Sequence, residues 1–130
     1  MSGRYKEARG RQAYRRGRLA EVLCLTRLWM TGWRVLAHRL IGKRGTGLGE
    51  VDIVARRGKT LAFIEVKARQ NDAAAREAVS QTQRHRIETA AQVYLAAHPE
   101  FQHCNVRFDV MTLANGFIPR RIVDAWRPEN

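Results

Sequence analysis

The sequence predicts a single-domain α/β fold, a central sheet flanked by helices with elements in the order α-β-β-β-α-β-β. Three observations predict it. Residues 13–30 form one helical stretch with Gly17 as its sole breaker, and Leu19–Met30 is apolar almost all round. The segment Thr60–Ala68 reads as a strand that is apolar on both faces at its start, so it needs cover from two sides, which in a small domain means helices. The chain has 130 residues, enough for one core and too few for two comfortable domains.

Residues 1–12 are polar, basic and punctuated by glycine, and read as a flexible basic arm ahead of a domain over 13–130. Gly32 ends the first helix, and Trp33–Ile41 reads as a strand through Val35, Leu36 and Leu40. The glycine-rich segment 42–49 is a turn. Glu50–Arg56 then alternates, with Val51, Ile53 and Ala55 on one face and Glu50, Asp52 and Val54 on the other. Arg57-Gly58-Lys59 makes a tight hairpin connection into Thr60–Ala68. A second helix starts near Asp72 or at Ser80, where Ser80 and Gln83 have capping-box spacing. It runs to His98 with Ile87, Ala91, Tyr94 and Leu95 on its inner stripe, and Pro99 stops it. Asn105–Leu113 is a strand, Asn115-Gly116 a turn and Ile118–Trp126 a last strand. Trp29, Trp33 and Trp126 read as core.

Lys and Arg number 24 against 12 Asp and Glu, a formal net charge of +12. On so small a body this makes a strong positive field, and nucleic acids are the commonest polyanions that would answer it. Charge alone also admits ribosomal subunits, anionic membranes and acidic proteins. No stretch reaches membrane-spanning length, and Glu21 and Arg27 interrupt the apolar run that follows the basic residues, against a signal peptide. Cys24 and Cys104 have no metal-ligand spacing and read as buried thiols of a cytoplasmic protein.

The chemistry lies at the end of the central strand. Glu65 and Lys67 share one face by the period of two. Charged groups on an otherwise apolar strand are costly unless they are paired or coordinated. Asp52 and Glu65 are equidistant from the hairpin turn, so antiparallel pairing sets them opposite each other within reach of one cation. Two carboxylates and a backbone carbonyl suit Mg or Mn. Such an ion acidifies a bound water and polarises a phosphoryl oxygen, while Lys67 would orient the attacking hydroxide and stabilise the transition-state charge.

Glu50-x-Asp52 followed by Glu65-Val66-Lys67 resembles the PD-(D/E)XK nuclease pattern. The residues Gly49–Ala55, Phe63–Arg69, Arg107–Val110 and Asp124–Trp126 are similar to the YraN-like group of small bacterial proteins, akin to archaeal Holliday-junction resolvases. The resemblance implies a restriction-endonuclease-like fold with a central mixed sheet. It further implies that Asp52, Glu65 and the Val66 carbonyl bind metal, that Lys67 is catalytic and that Glu21 from the first helix completes the site. Gln83 stands where many relatives have lysine, and Val51 where the family has proline.

Several positions keep two readings. Glu21 is a site residue or a glutamate ion-paired with an N-terminal arginine. Glu50 supports Asp52 or is a solvated strand start. Gln83 touches substrate phosphate or closes the capping box. Asp109 reads as a structural partner for an arginine. Arg15, Arg16, Arg18, Arg69 and Arg84 are the expected phosphate contacts. The expected function is metal-dependent hydrolysis of structured or branched DNA, with DNA favoured over RNA, no membrane partner and a homodimer admitted by the likeness to resolvases. The alternative is a non-catalytic nucleic-acid-binding module, or a ribosome- or RNA-associated accessory protein, on the same fold.

Overall fold

The computed structural model describes residues 19–38, 51–67, 72–114 and 118–128. The arm expected over 1–12, Arg15, Arg16, Arg18, Glu50, Arg69 and the turns at 42–49 and Asn115-Gly116 lie outside the described residues. The elements are helix α1 (19–30), β1 (Arg34–His38), β2 (Ile53–Arg57), β3 (Thr60–Val66), α2 (Asp72–Glu77), α3 (Gln81–Ala97), a 3-10 turn at Pro99–Phe101, β4 (Asn105–Ala114) and β5 (Ile118–Trp126). The order is α-β-β-β-α-β-β, with the second helical region split into α2 and α3. The break falls because Ser80 caps α3, its hydroxyl accepting the Gln83 N–H at 3.1 Å.

The five strands make one mixed sheet in the order β1-β2-β3-β4-β5. β1–β2, β2–β3 and β4–β5 are antiparallel, and β3–β4 is parallel, bridged by α2 and α3. Gly58 and Lys59 connect β2 to β3. Gly58 has φ +60° and Lys59 has negative φ, the pattern of a type II′ turn, which fixes Arg57 opposite Thr60 and Ile53 opposite Ile64. α1 closes with a Schellman motif: Gly32, at φ +88°, donates to the Trp29 carbonyl, and Trp33 donates to that of Leu28 at 2.9 Å.

Each face of the sheet has its own apolar layer. On one side Val54, Leu61, Phe63, Phe108, Val110, Ile122 and Trp126 pack against Ala75, Ile87, Ala91 and Tyr94 of α2 and α3. On the other, Ile53, Ala55, Ala62, Ile64, Met111 and Leu113 pack against Ala20, Cys24 and Leu28 of α1 and against Trp33. β3 is the middle strand, and Leu61, Ala62, Phe63 and Ile64 are all 0% exposed, the double burial expected from its sequence. No helix among the described residues is long and apolar enough to cross a membrane.

Two assignments differ. Trp29 is 77% exposed rather than core: α1 covers one sheet face, so a helix apolar all round leaves Leu19, Val22, Trp29 and Met30 outside. Val51 packs on the α3 side, opposite Ile53 and Ala55, because β2 begins only at Ile53 and the alternation does not extend through the bend at Asp52. Asp109 is the arginine partner expected. It is 0% exposed, takes two hydrogen bonds from the Arg107 guanidinium at 2.8 Å, and accepts the Asp124 N–H at 2.9 Å. That last bond holds Asp124 at φ +54°, where the β4–β5 register shifts.

Phe63 touches the rings of Tyr94 and Phe108, each at 5.9 Å between centroids. Phe63→Ala is expected to lower the unfolding free energy by about 3–5 kcal/mol in urea denaturation. Val93→Ala, at a site 59% exposed, should change it by less than about 0.5 kcal/mol. Similar values for the two would contradict a core centred on β3.

Candidate active site

The site lies where the β2–β3 ladder ends. The last pair is Ile53–Ile64, so Asp52 and Glu65 stand one step beyond it on facing strands. Asp52 sits in a bend, and its Oδ2 accepts the Val66 N–H at 2.9 Å. The carboxylate thus ends the ladder itself and is fixed beside β3.

Glu65 follows Leu61 and Phe63 onto the α3 side, where it is 5% exposed. Its Oε1 accepts a hydrogen bond from Gln83 Nε2 at 3.0 Å, and Lys67 Nζ lies 3.4 Å from the same atom. Its Oε2 is buried and receives no hydrogen bond from a donor. Burial, and next the charge of Asp52, push the Glu65 carboxyl from its ordinary 4.5 up to about 8, with Lys67 opposing. The Asp52 carboxyl is close enough to that of Glu65 to favour its protonated form.

The structure therefore brings Asp52, Glu65, Lys67 and Gln83 together. Gln83 supplies one half of the expected capping box, its backbone N–H donating to Ser80, while its side chain donates to Glu65. The Cys24 thiol is pushed up to about 12, first by burial and then by the fields of Glu21 and Asp52. This keeps Cys24 a thiol and removes it as a nucleophile. Among the described residues no three His, Cys, Asp or Glu side chains converge as a metal cluster. Arg84 is committed internally. Its guanidinium donates to the carbonyls of Val79 at 3.2 Å and Arg76 at 3.4 Å and lies 5.6 Å from the Trp126 ring centre.

The donor set fits a hard divalent cation. Two carboxyl groups face each other, one oxygen is buried without a donor, and the Val66 carbonyl belongs to the same strand end. A cation there would remove the repulsion that holds a proton on Glu65. Sequence reasoning passed over Cys24, whose place within the fields of Glu21 and Asp52 follows from α1 packing on the sheet and has no motif to announce it.

The model of an uncharacterised protein family, UPF0102, matches residues 20–113, a span containing Glu21, Asp52, Glu65, Lys67 and Gln83. This is the YraN family that the motifs resemble. The chain is similar to a UPF0102 protein of Paramagnetospirillum magneticum, 49% identical over 115 residues, covering 88% of this chain and 89% of the relative. One from Parvibaculum lavamentivorans is 45% identical over 121 residues, 93% and 88% of the two chains. Another from Caulobacter vibrioides is 42% identical over 127 residues, 97% and 98%.

Because the Glu65 carboxyl titrates higher folded than unfolded, the native state binds the extra proton between about pH 4.5 and 8. Stability should fall as pH rises through that window. Glu65→Gln removes the titration, so its melting temperature relative to the native chain should rise with pH across about pH 5–9. A constant difference between the two melting curves would contradict the raised carboxyl.

Proposed function

The chain belongs to the uncharacterised protein family UPF0102, and from that premise and the geometry of its acids we propose that it is a metal-dependent nuclease hydrolysing phosphodiester bonds in structured or branched DNA. One observation carries the reading: at the open end of one hairpin Asp52 accepts the Val66 N–H, next to Glu65, whose carboxyl it raises, with Lys67 3.4 Å from Glu65. A structural ion pair would need one acid for one lysine. A second carboxyl group, pressed against the first on buried ground, is costly unless a cation is to be held.

In this reading Asp52, Glu65 and the Val66 carbonyl hold Mg or Mn, which when bound acidifies a water and polarises the phosphoryl oxygen. Asp52 is positioned by the Val66 N–H and Glu65 by Gln83, so neither has to reorganise as charge develops. Lys67 keeps its ammonium, 21% exposed, at the edge of the site, where it can donate to a phosphate oxygen and steer the attacking water. The net charge of +12 supplies the attraction for the polyanion. A second reading, a nucleic-acid-binding module without turnover, is favoured by the meeting of two carboxyls rather than three among the described residues.

The test uses linear, flapped and four-way DNA and the matching RNA, with Mg or Mn. Metal-dependent cleavage should appear and be lost on chelation. Asp52→Asn should abolish it, and Lys67→Ala should slow it by about 10²–10³-fold. Binding without cleavage in either metal would leave the module as the function.

A further inference from the structure

On the α1 side of the sheet, three arginines from three strands gather around one indole, with a fourth nearby on α1. The guanidinium carbons of Arg57 on β2, Arg121 on β5 and Arg107 on β4 lie 4.8, 4.9 and 5.3 Å from the centre of the Trp33 ring. Arg27 of α1 adds its field to theirs at Arg121. Two of these charges are partly committed: Arg107 is paired with buried Asp109, and Arg57 donates to the Thr31 carbonyl at 3.2 Å. Arg121 Nε is buried and has no hydrogen-bond partner. Three guanidinium groups around one ring repel each other well inside a screening length of roughly 8–10 Å, so the cluster is short of negative charge.

The shortage opens onto a cavity. Between α1 and β5 lies a groove of about 320 Å³, lined by Arg27, Arg120 and Arg121 with Thr31 and Met111. Met111 also accepts the Lys67 N–H at 2.8 Å, so this groove starts one strand away from the acidic site. From β3 to β5 is two strand spacings, roughly 10 Å.

We propose that this groove binds a phosphate group of a nucleic-acid strand, held by Arg27 and Arg121, while another part of the same strand reaches Lys67. The assignment rests on the proposed function only for its choice of nucleic acid over a free anion. Guanidinium groups suit this ligand because their planar N–H forks match phosphate oxygens. A phosphate would satisfy Arg121 Nε and relieve the crowding around Trp33. The groove's nearness to Lys67 and the net charge of +12 favour a strand.

The experiment measures anisotropy of labelled single-stranded and duplex DNA or RNA in chelator, so that cleavage plays no part. It is run as a salt titration on the native chain, Arg27→Gln, Arg27→Gln/Arg121→Gln and Arg86→Gln. Arg86 is exposed on α3 and serves as the control for net charge. The double variant should lose about 10-fold or more in affinity, and its log–log salt slope should shrink by about 2, against about 1 for Arg27→Gln. Arg27 is exposed at the surface, so the single variant keeps a folded reference if the double variant melts early. If both variants match Arg86→Gln, the site is overturned. If inorganic phosphate alone stabilises the native chain but not the double variant, while oligonucleotide affinity is unchanged, the groove takes a free anion and the strand assignment fails. The binding is read in chelator and does not depend on a metal at the acidic site. Absence of cleavage with arginine-dependent binding retained therefore counts against the nuclease reading and not against this one.

Discussion

β3 has four consecutive residues with no exposed surface, and the rest of the molecule is arranged around that burial. A strand covered on both faces demands two apolar layers, which α1 and the α2–α3 pair provide. It also leaves no water for polar groups placed near its end. Glu65 is such a group, and its surroundings answer it in three ways: Gln83 donates to one oxygen, Lys67 stands beside it, and Asp52 meets it from across the hairpin. The first two ease the cost of burial and the third adds to it. An arrangement that includes its own electrostatic penalty is what supports the proposed chemistry at this site.

The sheet carries the acidic site and the arginine cluster on different faces. Leu61, Phe63 and Glu65 point toward α3, while Arg57, Arg107, Asp109 and Arg121 lie on the side of α1 and Trp33. The backbone bond from Lys67 to Met111 links the ends of the two regions. The acidic site and the arginine cluster are therefore near neighbours, an arrangement that suits the proposed handling of a phosphodiester.

How much of this could be read from the residues depended on range. The β2–β3 hairpin was legible because register in a two-residue turn is arithmetic: the midpoint between Gly58 and Lys59 sets Asp52 against Glu65. The inner stripe of α3 and the bounds of β5 followed from local periodicity and breakers. Trp29 was misread because a uniformly apolar helix carries no mark of which side finds a partner. The arginines around Trp33 stayed hidden for a related reason. Arg57, Arg107 and Arg121 come from three strands whose lateral order is set by a parallel crossover, and no spacing along the chain encodes that neighbourhood. The contact of Gln83 with Glu65 was not legible because it joins α3 to β3 across the fold, while the cap at Ser80 is local.

The left-handed turn of Asp124 has a consequence for the protein's life among copies of itself. Among the described residues β5 is a border of the sheet, nine residues long, and a straight border of that length is an open template on which a stranger's backbone could zip up. Buried Asp109 grips the Asp124 amide and throws the border out of line, while Pro119 withholds one donor and Arg120 lines it with charge. The carboxylate that pairs with Arg107 inside thereby also shapes the outer border of the sheet.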